Sequence, residues 1–324
     1  MASPRRRGAP VFLIGIWMFN LFGLIGLLAI LAFQLRRPPA DTPLDATQTP
    51  PRAGMPVDDP PAGIYYLPTV TPNPHSTPIP ATTPTRILML DLGMEPVIIG
   101  YSVSARPLEV YKFGNGENER MIVAGIHGGN EWNTIALAEE LIIHLNEHPE
   151  TVPSDITLYI LRNLNPDGEA RAHTVDGRVN DHGVDLNRNW PSAWQAEWSR
   201  DGCWDYLPTS GGDHAGSEPE TMALINFINS HHIDALISYH SAALGIFPGG
   251  RPPDEASVSL AKAAAKVSKY PYPPIDTGCI YTGNLADWAS EQGIAAIDIE
   301  LTNHRDTDFD VNLKILTALL NWRG

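Results

Sequence analysis

Fourteen of the chain's 30 prolines fall between Pro38 and Pro84, in a stretch also rich in threonine. Proline lacks a backbone N–H and fixes φ, so such a segment cannot build a packed core and favours extended polyproline II. Whatever core the chain forms must come from outside this break. Residues 34–85 are therefore expected to act as a semi-rigid stalk or a plain linker. Residues 86–324 have a globular composition, with 16 Lys/Arg against 33 Asp/Glu. A segment of about 240 residues suits one domain better than two.

On the other side of the break, Val11 to Phe33 (VFLIGIWMFNLFGLIGLLAILAF) is an uncharged apolar run. At about 1.5 Å per residue it is long enough for a hydrocarbon core of about 30 Å. A cleaved signal peptide has a shorter core ending in small residues, whereas this run stops at Gln-Leu-Arg-Arg. It reads as an uncleaved signal anchor. Arg5, Arg6, Arg7 and the amino group precede it and Arg36 and Arg37 follow. The positive-inside rule then puts residues 1–10 in the cytoplasm and the globular part outside, membrane-tethered on a single pass.

The formal net charge of −15 argues against a nucleic-acid partner, which needs a positive surface. Cys203 and Cys279 are the only cysteines, too few for a four-cysteine zinc module. Outside the cytoplasm they are able to pair, with two free thiols as the alternative.

Within the globular part, short apolar runs alternate with helical patterns, which predicts an α/β fold. Met121–Ile126, Ile156–Leu161, Ala235–Tyr239 and Ile294–Leu301 read as buried strands. Ile135 to Leu145, Pro219 to Ile228, Ala256 to Lys269 and Asp308 to Trp322 read as helices.

Polar residues gather where those strands end. His127 and Glu131 (His-Gly-Gly-Asn-Glu) follow the first, His240 follows ALISY, and Glu300 lies near the end of IAAIDIEL. Ligands of open α/β sheets bind beyond the carboxyl ends of strands. Two histidines and a glutamate make an open zinc site with room for water. Each residue also has an ordinary reading, as a loop or capping histidine, a helix-start acid or a strand-end acid paired with a base. A second cluster follows ITLYIL: Asn165-Pro166-Asp167-Gly168, then Arg178, then Asp185-Leu186-Asn187-Arg188-Asn189. Two guanidiniums and an amide suit carboxylate recognition. Either arginine alone is equally a surface salt-bridge partner.

Taken together and in this order, these motifs resemble the zinc carboxypeptidase (funnelin) superfamily over roughly residues 90 to 323. The resemblance implies a mixed sheet sandwiched between helices. It implies that His127, Glu131 and His240 bind one Zn2+, and that Glu300 is the general base. By the same resemblance, Arg178 polarises the scissile carbonyl and Asn187 and Arg188 hold a substrate's terminal carboxylate. Two departures stand out. Three residues separate His127 from Glu131 where the family has two, and Tyr281, the candidate substrate-clamping tyrosine, lies six residues before Asp287, closer than usual.

The resemblance implies a zinc metallocarboxypeptidase acting on peptides with a free C-terminal carboxylate, and the apolar run Val11–Phe33 adds the expectation that it is membrane-anchored. Ala286, at the family's side-chain-pocket position, carries no charge, so an apolar or mixed preference is expected. The alternatives are a zinc-dependent amidase or deacylase of N-acyl amino acids or cell-wall peptides, and an inactive binding module.

Overall fold

The computed structural model describes residues 92–198, 210–276, 278 and 281–324. The expected cytoplasmic segment, anchor and Pro/Thr-rich linker lie outside the described residues, as do Cys203 and Cys279. Among the described residues, no helix is long and apolar enough to cross a membrane. All of them lie in one compact unit, Thr82–Gly324.

The strands are β1 (Val97–Tyr101), β2 (Pro107–Gly114), β3 (Asn118–Val123), β4 (Ile156–Leu161), β5 (Ile233–Ser241), β6 (Ile246–Pro248) and β7 (Ala295–Leu301). They form one sheet in the order β1-β2-β4-β3-β5-β7-β6. The central pairs β4/β3, β3/β5 and β5/β7 are parallel, and the outer pairs are antiparallel. All six residues of β4 are buried, as a central strand covered on both faces demands. This is why ITLYIL carries no polar alternation.

Among the described residues, six α-helices cover the sheet: α1 (Trp132–Glu147), α2 (Pro166–Arg171), α3 (Pro219–Asn229), α4 (Glu255–Val267), α5 (Leu285–Glu291) and α6 (Phe309–Asn321). Helix α1 buries Ile135, Ala138, Leu141, Ile142 and Leu145, a stripe at three- and four-residue spacing, and ends before Pro149. Asp254 caps α4 and Asn284 caps α5 through their side chains, each satisfying otherwise orphaned helix N–H groups.

The sheet separates two cores. One holds Ile122, Ile237, Ile297 and Ile299 against Leu141 of α1, Leu260 of α4 and Ile315 of α6. The other holds Val123, Leu236 and Ala296 against Leu224 of α3, Leu285 and Trp288 of α5, and Trp190. Leu141 is fully buried, so truncation to alanine there is expected to cost about 2–5 kcal/mol. The result is the mixed sheet between helices that the resemblance implies. Strand β3 ends at Val123, three residues before the expected boundary, and frees Ala124–His127 to turn toward the rim.

Candidate metal centre and active site

Strands β3, β5 and β7 run parallel, so their carboxyl ends open on the same edge of the sheet. His127 leaves that edge behind β3 and starts a short 3-10 turn, Gly128–Glu131. The turn explains how the longer His–Glu step is accommodated. Gly128 has φ of +46°, and a Cβ there would meet backbone atoms of Asn165, Gly177 and Glu169 within 2.9 Å. At Gly129 a Cβ would sit 2.0 Å from Ala172 O. Only glycines allow the turn to pack this tightly on the Asn-Pro-Asp-Gly and Arg178 loops.

The turn brings Glu131 Oε1 to 2.7 Å from His127 Nδ1. His240, the eighth residue of β5, places its Nδ1 3.2 Å from Glu131 Oε2 and 3.3 Å from His127 Nδ1. The three residues offer ligand atoms within 4.8 Å of one another and form a buried site able to hold a metal ion. Glu131 also accepts from Ser241 N at 3.2 Å. Burial alone raises the Glu131 pKa, but the two histidines beside it hold the carboxyl well below its usual range. For His240 burial works against the charge, yet Glu131, Asp298 and Glu300 together push it up to about 9.

The other ring nitrogens are held from behind. His127 Nε2 lies 3.2 Å from Asp185 Oδ1, and His240 Nε2 lies 3.0 Å from Ser238 Oγ and 3.3 Å from Asn187 Nδ2. Asp185 is fully buried and also receives Arg178 Nε at 3.0 Å, Arg178 Nη2 at 2.8 Å and Asn187 N at 3.0 Å. Burial opposes its ionisation, but Arg178 and His127 keep its carboxyl far below the ordinary value. Arg178 Nη1 reaches to 3.5 Å from Glu131 Oε1, so its charge stands at the edge of the metal cluster.

Glu300 pairs with His240 across the parallel β5/β7 ladder, which sets the candidate base and the candidate metal ligand side by side on one face. Its Oε2 accepts from Ala243 N at 2.9 Å. Burial pushes its pKa up to about 7, with Glu131 and Asp298 adding and His240 and Ala243 N opposing. Arg188 is buried, donates from Nη1 to Asn187 O at 2.6 Å, and has no partner for Nε. Its guanidinium stands 4.5 Å from the Tyr281 ring centroid and 5.8 Å from that of Trp198. Asn187 Oδ1 accepts from Leu285 N at 3.0 Å.

The structure thus brings His127, Glu131, His240, Arg178, Asn187, Arg188, Tyr281 and Glu300 to the same edge of the sheet. Three further residues bear on the site and carry no role in the sequence reading: Asp185, Ser238 and Asp298. Asp185 opens the Asp-Leu-Asn-Arg-Asn run, and its signal is a carboxylate two residues before a candidate ligand-binding pair. Asp298 breaks an apolar strand two residues before Glu300, the spacing that puts both on one face. Ser238 has no comparable signal.

A family model described as zinc carboxypeptidase matches residues 93–315. Mast cell carboxypeptidase A of Rattus norvegicus is 30% identical over 230 residues, 60% of this chain and 55% of that protein. Carboxypeptidase A5 of Macaca fascicularis is 32% identical over 245 residues, 64% and 54% of the two chains. The chain spans about half the length of the curated relatives it matches. Among solved structures, the murein-tripeptide amidase MpaA from Escherichia coli O157 superposes with a TM-score of 0.53 at 25% identity, covering 72% of this chain and 95% of that one. Thrombin activatable fibrinolysis inhibitor shares the fold, with a TM-score of 0.55 at 23% identity over 70% of this chain and 69% of its own. The extent of the family match, on a fold whose strand ends gather that family's motifs, places this chain in the zinc carboxypeptidase family.

Proposed function

We propose that the protein is a zinc metallocarboxypeptidase that removes residues from the C-terminus of peptides. The observation that carries the reading is the convergence of His127, Glu131 and His240, with Glu300 in register beside His240. The donor set fits zinc. Bonds of 2.0–2.1 Å in a tetrahedral site separate ligand atoms by about 3.3 Å. Here the two histidine Nδ1 atoms lie 3.3 Å apart, with His127 Nδ1 2.7 Å from Glu131 Oε1 and His240 Nδ1 3.2 Å from Glu131 Oε2. Asp185 and Ser238 occupy the opposite ring nitrogens, which fixes the tautomers and turns each Nδ1 inward.

Zinc held there supplies Lewis acidity and lowers the pKa of water toward about 7. Glu300 accepts the proton of the attacking water and hands it to the leaving amine. Two glutamates in one site, one held low by histidines and one raised by burial, are suited to these separate duties. Arg178 brings a fixed positive charge to the metal's edge, where negative charge develops on the carbonyl oxygen. Arg188, with Nε unpartnered, and Asn187, through Nδ2, receive the substrate's terminal carboxylate, and Tyr281 flanks the guanidinium.

The test uses the full chain and peptides that differ only in ending as a free carboxylate or an amide. Single residues should be released from the free acids alone, with activity lost to a chelator and restored by zinc. Cleavage inside the peptides, or equal cleavage of the amides, rejects the reading.

The cover of 95% of the murein-tripeptide amidase favours a second reading, hydrolysis of cell-wall peptides. A muropeptide cleaved faster than an ordinary α-linked peptide would select it. The apolar run Val11–Phe33 supports tethering of the enzyme to the membrane with its domain outside, which protease protection of intact cells or vesicles tests.

A further inference from the structure

Asn133 is the second residue of α1, two positions after Glu131, and is fully buried. A buried amide costs stability unless its polar atoms are met, so an apolar residue is the simpler choice at such a position. Here every donor is used and the acceptor is met. Asn133 Nδ2 donates to Asn303 O at 2.7 Å and to Asp306 O at 3.0 Å, and Oδ1 accepts from Ser241 Oγ at 2.9 Å. The two carbonyls also fix which way the amide faces, because only its NH2 end can meet a pair of acceptors.

The partners belong to different parts of the site. Ser241 follows His240 on β5 and donates its backbone N–H to Glu131 Oε2 at 3.2 Å. Asn303 and Asp306 lie in residues 302–308, the segment that carries the chain from the end of β7, beyond Glu300, into α6. That segment is braced from within. Asn303 Oδ1 accepts from Arg305 N at 2.7 Å and Asp306 N at 2.9 Å, and Asp308 Oδ2 accepts from Thr302 N at 3.0 Å and Thr302 Oγ1 at 2.6 Å. A segment held in this way follows the end of β7 as one piece. A second link to α1, from Thr307 Oγ1 to Glu140 Oε2 at 2.7 Å, is exposed to water that competes for it. The Asn133 link is buried, where a satisfied polar network is stronger and more rigid.

The use of such a tie follows from the ladder. His240 and Glu300 keep a fixed interval through the β5/β7 pairing, whereas Glu131 arrives on a 3-10 turn outside the sheet. On one side that turn packs against the backbone of Asn165, Ala172 and Gly177. Asn133 supplies the tie on the side of β5 and β7.

We propose that Asn133 is a positioning residue that locks the Glu131 turn to the segment leaving Glu300, so that metal ligand and base keep one separation. This rests on the zinc carboxypeptidase reading above. The amide is engaged by protein groups alone and acts through the groups it holds. A shift of about 1 Å between reacting groups is enough to cost about 10²-fold in rate.

The test sets the full chain beside Asn133→Leu, which nearly keeps the volume and removes the three hydrogen bonds. With zinc stoichiometry at one in both, kcat per bound zinc should fall about 10- to 100-fold in the variant while KM changes less than about threefold. In a Glu300→Gln background the same substitution should cost less than about threefold, because the base it aligns is already gone. Hydrogen exchange supplies a readout independent of turnover. Zinc should slow exchange at the amides of residues 303–306 by about tenfold in the wild type and by less than about threefold in Asn133→Leu. Asn133→Ser, too short to reach both carbonyls, should behave alike should the Leu variant fold poorly. Unchanged kcat, an equal loss in both backgrounds, or a zinc effect on exchange that survives the substitution overturns the proposal. Zinc bound without any effect on exchange in the wild type overturns it too, and leaves the carboxypeptidase reading standing. If zinc binds and no peptide is cleaved, the exchange comparison alone decides. A chain that takes up no zinc rejects the carboxypeptidase reading, and this proposal with it.

Discussion

The two halves of the cleft treat their buried polar atoms in opposite ways. On the metal side, Asp185 takes His127 and Asn187 on one oxygen and Arg178 on the other, and both histidines are braced at the ring nitrogen that faces away from the cluster. On the side proposed to take the substrate, Arg188 Nε and Asp298 Oδ1 are buried with no hydrogen-bond partner. A braced polar network fixes geometry, whereas an orphaned buried charge is a cost that a ligand can relieve. The difference teaches where the chain invests in rigidity and where it holds binding capacity in reserve.

The largest effect tests the residue that stands between the halves. Glu300→Gln should lower kcat by about 10²- to 10⁴-fold while zinc stoichiometry stays at one. Near-normal turnover in that variant would remove Glu300 from acid–base duty. Next, Arg188→Met should lower kcat/KM for free-acid peptides by about 10- to 100-fold through KM. Because burial disfavours the Arg188 charge, the same variant should melt no lower than the wild type. A clear drop in Tm would make Arg188 part of the braced half instead.

On the metal side, Asp185→Asn should weaken zinc binding by about 10- to 100-fold in a competition titration, since it withdraws the group behind His127. Unchanged affinity would show that the bracing is dispensable. The smallest effect lies outside the cleft. Glu220 is buried with two neutral donors, Val103 N at 3.1 Å and Asn180 Nδ2 at 3.2 Å, and burial pushes its pKa from 4.5 up to about 7. Its raised value means that the folded state holds the proton more tightly than the unfolded chain. Stability from this group is present below pH 4.5, is lost as pH rises toward about 7, and is flat above. Glu220→Gln should therefore raise Tm by several degrees at pH 8, from at most about 3 kcal/mol, and by almost nothing at pH 4. An equal shift at both pH values would sink the assignment.

The central sheet was legible because parallel strands buried on both faces must be apolar throughout, and Ile156–Leu161 is read to the residue. Strands β1 and β2 escaped the sequence reading for the opposite reason. Strand β1 lies at the sheet edge with Val97 and Tyr101 exposed, and β2 buries Glu109, whose charge is met by Arg162 Nε from the end of β4 at 3.0 Å. Such a pairing across the fold leaves no local pattern. The site residues were legible as motifs, but their support was not. Ser238 bracing His240, and Asp298 left without donors, depend on which face of a strand meets which helix. That is settled by tertiary packing and not by the apolar run itself.

The direct pairing of His240 with Glu300 in the parallel β5/β7 ladder has one more consequence. Neighbouring strands lie about 4.8 Å apart because backbone amides and carbonyls set that spacing, and side-chain identity hardly alters it. The gauge between the candidate metal ligand and the proposed proton acceptor is thus written into peptide geometry. Loops around the rim are free to be rebuilt for new substrates while that interval stays fixed.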